Sequence, residues 1–173
     1  MKKNILQNGT RVISYAPDTE CDNELGTITG SYEYNDKVYY DIKLDGQNGD
    51  YLDMNEEGIH FDVVPTEFVN LTPHDIKLNN GTIYPASGKV ARVKNDFSNF
   101  CCDISKVFYG DVENLPEPKR GTMYIVSAMV LAAESSKHRL CRRRDLVAPA
   151  TGHPDCIREN GYIVSVPGFV RIQ

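Results

Sequence analysis

The stretch Leu115-Pro116-Glu117-Pro118-Lys119-Arg120-Gly121-Thr122-Met123-Tyr124-Ile125-Val126-Ser127, followed by the apolar run Ala128 to Ala133, decides how the chain is read. Pro116 and Pro118 fix an extended lead-in, Gly121 permits a tight turn, and Met123 to Val126 is a β-branched and aromatic run expected to be a buried strand. Ser127 is placed to cap a short helix running to about Ser136. A strand that feeds straight into a capped helix aims unpaired backbone N–H groups outward, which is an anion-binding arrangement.

Around that stretch, Asp75 to Leu78, Thr82 to Tyr84, Lys89 to Val93, Lys106 to Tyr109, Arg144 to Val147, Tyr162 to Val166 and Phe169 to Ile172 read as strands. The Asn79-Asn80-Gly81 turn closes a hairpin between the first two. Upstream, Thr10 to Tyr15, Gly26 to Thr29, Lys37 to Leu44, Tyr51 to Met54 and Ile59 to Val64 are short β-type runs separated by Asn-Gly, Asp-Gly and Asn-Asp turns. The expected fold class is therefore mainly β: a small SH3-like barrel followed by a mostly antiparallel β domain with one short helix. Pro65 ends the last strand of the first unit, so the domains are expected at residues 1–66 and 67–173.

Charge divides the chain at the same place. The net charge is −5, made of −8 over residues 1–66, with five Lys/Arg against thirteen Asp/Glu, and +3 over residues 67–173, with fourteen against eleven. The acidic first unit is unsuited to a phosphate backbone. Five cysteines, two of them adjacent at Cys101 and Cys102, read as reduced thiols without a structural disulfide. No apolar run approaches the roughly 20 residues of a membrane span, and the first residues lack a signal-peptide core, so no membrane partner is expected.

In the first unit, "Asn-Gly-Thr-Arg-Val", "Gly-Thr-Ile-Thr-Gly" and "Tyr-Tyr-Asp-Ile-Lys-Leu-Asp-Gly" resemble SH3-like modules over about residues 7–65. Alternation places Val38, Tyr40, Ile42 and Leu44 on one face of a strand and Tyr39, Asp41 and Lys43 on the other. The richness in tyrosine suits either an aromatic peptide groove or simply strand preference. Asp45, Asp50, Asp53, Glu56 and Glu57 lack calcium-loop spacing and read as a solvated acidic face.

In the second unit, "Val69-Asn70-Leu71-Thr72-Pro73-His74", "Pro85-Ala86-Ser87-Gly88-Lys89-Val90-Ala91-Arg92-Val93", "Leu115-Pro116-Glu117-Pro118", "Gly121-Thr122-Met123-Tyr124-Ile125-Val126-Ser127" and "Arg144-Asp145-Leu146-Val147-Ala148-Pro149" resemble, over about residues 68–170, a family of small bacteriophage and prophage proteins. That family carries no settled enzymatic activity. The resemblance implies a viral origin, a host-cytoplasm location and, for the acidic first unit, an added module.

His74, beside Asp75 and after a rigid turn, reads either as an acid-base group or as a loop histidine hydrogen-bonded to backbone. No nucleophile signature surrounds Ser127, Ser87 or Cys102, so no enzyme is expected. His138-x2-Cys141 and His153-x2-Cys156 have zinc-compatible spacing, set against surface histidines and buried thiols; no cofactor is assigned. Lys137, Arg139, Arg142, Arg143 and Arg144 form a basic cluster after the helix, which either stabilises the helix end or grips phosphate. The expected ligand-binding set is His74, Arg92, Thr122, Ser127, Arg144 and Asp145, framing a small phosphorylated, nucleotide-like ligand.

The function expected from these features is a phage counter-defence protein that sequesters a host immune nucleotide signal without cleaving it, acting as a homo-oligomer. Two alternatives stand beside it. One is an acidic interaction module inhibiting a host defence or DNA-binding enzyme; the other is a phosphodiesterase-like enzyme using His74 or a metal.

Overall fold

The computed structural model describes residues 5–14, 24–46, 51–55, 61–136 and 143–172, with backbone only at 51–55. The chain divides into two compact units, Met1–Val64 and Pro65–Gln173. It is mainly β, with one short helix among the described residues.

The first unit holds β1 (Arg11–Ser14), β2 (Leu25–Tyr34), β3 (Lys37–Leu44), β4 (Tyr51–Asn55) and β5 (Phe61–Val63). They form one antiparallel sheet in the order β4-β3-β2-β1-β5. The two outer strands are not paired with each other among the described residues, so the sheet is not seen to close into the expected barrel. The period-2 expectation for β3 holds: Tyr40, Ile42 and Leu44 are buried with Val12, Ile28 and Phe61, and Val38 packs against them. Tyr40 keeps its hydroxyl satisfied inside that core by accepting the Leu6 N–H at 3.1 Å, while its ring meets Phe61 edge-on. On the other face, Tyr32 and Tyr39 are stacked with centroids 5.4 Å apart and Tyr34 stands edge-on to Tyr39. The β2–β3 turn puts Asn35 and Asp36 at φ 49° and 60°, the left-handed pair of a two-residue hairpin loop that Asn and Asp tolerate.

The second unit is built around β11 (Thr122–Ile125), the strand foreseen in the opening stretch, which is flanked by β6 (Glu67–Asn70) and β12 (Leu146–Pro149). Both neighbours run parallel to it, and β15 (Phe169–Val170) adds to β12 antiparallel, giving the order β15-β12-β11-β6. All other strand ladders among the described residues are antiparallel. The parallel centre has a local cause: β11 leads into α1 (Ala128–Ser135), and the helix carries the chain back so that β12 starts beside the start of β11. A strand inside such a crossover is covered on both sides, and all four residues of β11 are buried.

Side chains alternate between two apolar layers. Tyr124, Val126, Leu146 and Ala148 face Val130 and Leu131 of α1 together with Leu71 and Ala91. Met123, Ile125 and Val147 face the opposite layer, where Phe68, Tyr84 and Phe169 form a ring cluster with centroids 5.1 to 5.6 Å apart. At about 1.5 to 3 kcal/mol for each large side chain withdrawn from water, these two layers are the main source of stability in the unit.

Three hairpins complete it. β7 (Ile76–Lys77) pairs with β8 (Ile83–Tyr84), β9 (Arg92–Phe97) with β10 (Val107–Glu113), and β13 (Ile157–Glu159) with β14 (Tyr162–Ser165). β9 and β10 pack against α1 at their base through Val93 and Val112, and extend beyond the strand lengths expected from the sequence. No helix among the described residues is long and apolar enough to cross a membrane.

Candidate functional site

The parallel register gives the central sheet two chemically different ends. At the amino end, Gly121 sits at φ +74°, where a Cβ would lie 3.1 Å from Thr66 Oγ1; its carbonyl accepts the N–H groups of Thr66 and Glu67. Glu67 in turn accepts from Lys119 Nζ and from Thr122 Oγ1, both at 3.0 Å. The Lys119 ammonium, then the Thr122 hydroxyl, hold the Glu67 carboxyl below its ordinary pKa, and Glu67 raises that of Lys119. Thr122 is buried, with its hydroxyl engaged within the fold.

The same end consumes part of the basic cluster. Arg143 forks onto Asp145 through two 2.7 Å hydrogen bonds, donates a third to the Pro116 carbonyl at 2.7 Å, and lies over the Tyr124 ring. Burial, the largest single effect, lowers the Arg143 pKa, but the hydrogen bonds to Asp145 together with the charges of Asp145, Glu134 and Tyr124 outweigh it, and the net shift is upward. Arg143 and Asp145 therefore clamp the proline-rich lead-in to the start of β12. Arg144, their exposed neighbour, belongs to this end as well.

At the carboxyl end the Asn70-Leu71-Thr72-Pro73-His74 motif is a locked turn. Asn70, 2% exposed, donates from Nδ2 to the carbonyls of His74 at 2.8 Å and Tyr84 at 2.9 Å. Its Oδ1 accepts both the N–H and the hydroxyl of Thr72, at 2.9 and 2.7 Å. Asp75 Oδ1 takes the Ala86 N–H at 2.8 Å, tying the turn to the segment after β8. The motif thus uses the backbone of His74 and leaves its imidazole exposed, without a hydrogen bond among the described residues. Sequence reasoning singled out His74 and passed over Asn70 and Thr72; the available signal was an amide and a hydroxyl two residues apart ahead of a proline.

Ser127 caps α1 as expected, with extended φ/ψ of −69° and 155° and its hydroxyl accepting the Val130 N–H at 3.3 Å. The N–H groups of Ala128 and Met129 have no acceptor among the described residues, and both residues are exposed. The Ala91 N–H bonds the Leu71 carbonyl and the Leu71 N–H bonds that of Ile125, which brings Arg92 to this end of the sheet. Glu113 stands directly across the β9–β10 ladder from Arg92.

The six expected ligand residues therefore fall into two groups of three. His74, Arg92 and Ser127 lie at the carboxyl end, whereas Thr122, Arg144 and Asp145 lie at the amino end. Five residue steps of extended chain carry Thr122 to Ser127, roughly 16 Å at the usual rise. Of the expected frame of Ser127 with Arg92, Arg144 and His74, parallel pairing puts Arg144 beside the start of β11, at the opposite end of the strand from the other three.

Of the zinc-spaced residues, His138 and Cys141 lie outside the described residues, as do Lys137, Arg139 and Arg142. His153 turns its Nδ1 to the Asp155 N–H at 3.2 Å and lies exposed in the turn before Cys156. The described residues contain no cluster of three or more metal-type ligands. In the first unit, Asp45 pairs with Arg11, whose guanidinium lowers the Asp45 pKa; Asp50, Glu56 and Glu57 lie outside the described residues. Comparison with protein-family models, with curated proteins and with solved structures gives no match.

Proposed function

We propose that this chain binds a small phosphorylated, nucleotide-like ligand at the carboxyl ends of β6, β11 and β12, and serves a phage by sequestering a host immune nucleotide signal without cleaving it. The observation that carries the reading is the start of α1 at the end of the central strand, with two solvent-facing N–H donors at Ala128 and Met129. Arg92 supplies a guanidinium and His74 an exposed imidazole at the same end. Open sheets with parallel strands characteristically bind ligands beyond the carboxyl ends of those strands. Binding without turnover is the favoured chemistry because the Ser127 hydroxyl is committed to the helix cap and no histidine is hydrogen-bonded to a hydroxyl or thiol among the described residues. The resemblance to phage proteins supplies the biological setting.

The test is calorimetric titration of the full chain with cyclic dinucleotides, cyclic trinucleotides and ADP-ribose-derived signals, with the ligand recovered and weighed for cleavage. Saturable binding, intact recovered ligand and at least about tenfold weaker binding by Arg92→Ala are expected. Absence of binding to the whole panel rejects the proposal, and turnover abolished by His74→Ala replaces it with the enzyme reading.

A second reading rests on the first unit, where Tyr32, Tyr34 and Tyr39 form an aromatic surface on a strongly acidic module. Such a surface suits a basic protein partner, including a nucleic-acid-binding enzyme of the host. Truncation separates the two readings. The cut belongs before Pro65, because Thr66 and Glu67 bond Gly121, Thr122 and Lys119 within the second unit. Ligand capture survives that truncation on the first reading, and inhibition of a basic partner is lost on the second.

A further inference from the structure

The β9–β10 hairpin departs from the rule that exposed strands carry polar side chains. At about 200 Å² for each aromatic side chain, the exposed fractions of Phe97, Phe100, Phe108 and Tyr109, which are 67, 76, 56 and 61%, leave roughly 500 Å² of ring surface in solvent on one arm. Ile104 and Val107 are exposed as well. That surface is shared between the two faces of the arm, with Phe108 on the face opposite Phe97, Val107 and Tyr109, and exposed apolar surface on this scale is often functional.

The arm is also close to charge balance. Arg92, Lys94 and Lys106 stand against Asp96, Asp103, Asp111 and Glu113, which gives neither a basic surface for nucleic acid nor a strongly acidic one. Its two edges differ. β10 is broken by an irregularity between Tyr109 and Val112, a device that spoils further strand pairing, whereas β9 is regular and has no strand on its outer side among the described residues.

We propose that β9 pairs antiparallel with β9 of a second copy, about a two-fold axis at Asn95, joining the two arms into one four-stranded sheet. That register is self-complementary. Lys94 faces the partner's Asp96, and Asp96 faces the partner's Lys94, on the same side of the sheet. Asn95 meets its own copy, and an amide is both donor and acceptor. Val93, which packs on the core beneath α1, comes opposite the partner's Phe97 on the other side, so an exposed ring is carried onto the edge of the neighbour's core. Phe97 shares that side with Val107, its cross-strand neighbour, and with Tyr109, which stands across from Asn95. The proposal does not depend on the ligand or on its binding site.

Sedimentation of the full chain in reducing buffer, which removes any disulfide through the exposed Cys101 and Cys102, tests it. The expected result is a dimer at micromolar concentration. Lys94→Asp alone and Asp96→Lys alone each place two like-charge pairs in the interface and weaken the dimer roughly tenfold or more. The double variant Lys94→Asp/Asp96→Lys restores association to within about threefold of the unaltered chain. As an independent reading, Asn95→Cys in a Cys101→Ser/Cys102→Ser background cross-links the two copies under mild oxidation, through a disulfide between the introduced thiols. A chain still monomeric at about 100 μM, single variants that associate normally, or a double variant no better than either single one overturns the proposal.

Discussion

The amino and carboxyl ends of β11 are built from similar residues and do opposite things with them. At the amino end Glu67, Lys119, Thr122, Arg143 and Asp145 hydrogen-bond one another and the backbone around them, so charge there serves the fold. At the carboxyl end, Asn70 and Thr72 absorb the structural task, while the side chain of His74 is exposed and two helix-start amides have no acceptor among the described residues. The difference separates polar groups that are part of the architecture from polar groups available to a ligand. The two kinds cannot be told apart by residue type.

Substitutions at the amino end should act on stability. Arg143→Ala leaves Asp145 unpaired and frees the Pro116 carbonyl, with an expected loss of about 3 kcal/mol in denaturant unfolding, the low end of the range for broken ion pairs because both side chains keep some solvent access. Asn70→Ala breaches the contrast from the other side: it is a carboxyl-end change that removes donors from two carbonyls and an acceptor from Thr72, and about 2 to 3 kcal/mol of stability should go with it. Ser127→Ala removes the helix cap at an expected cost of about 1 kcal/mol. Arg92→Ala sharpens the contrast, because the unfolding midpoint should shift by no more than about 0.5 kcal/mol in equivalent stability while the affinity measured by calorimetry falls.

Acid titration gives the smallest effect. The folded-state pKa of Glu67 is lowered, so its contribution to stability is complete above the ordinary Glu value of 4.5 and is lost as pH falls through the lower, folded value. Glu67→Gln should flatten the pH dependence of the unfolding free energy in that acidic window and leave it unchanged near neutrality. A wild-type curve already flat there refutes the assigned role.

The sequence made the central strand and its capped helix legible because three local signals coincide: Gly121 at a turn requiring positive φ, a β-branched run, and Ser127 as cap. The alternation of β3 was equally plain, since burial on one face leaves a period of two. The parallel direction of β6 and β12 was not legible, because direction is set by a helix that folds back over the sheet and not by any residue of the strands. The candidate residues are divided between the two ends for that reason. Arg144 and Ser127 both look like phosphate ligands in isolation, and only the register shows them at opposite ends of a strand. The arm was missed because its exposed rings imitate a core strand: Phe97, Phe108 and Tyr109 carry the composition of buried sheet without its burial.

The pairing of β6 with β11 joins Glu67 to Thr122, 55 positions apart. During synthesis, at about 5 to 20 residues per second, β6 waits for several seconds before its central neighbour exists, and longer before β12 follows. Closing that separation carries an entropic cost before it returns any contact, which makes the event intrinsically slow. In the first unit β2 and β3 meet at once across a two-residue turn, and β5, which completes the sheet beside β1, is made before β6. The nascent chain thus acquires an acidic, folded leading unit while Phe68 and Val69 still lack their sheet, and a net charge of −8 on residues 1–66 is well suited to keeping that half-made product dissolved.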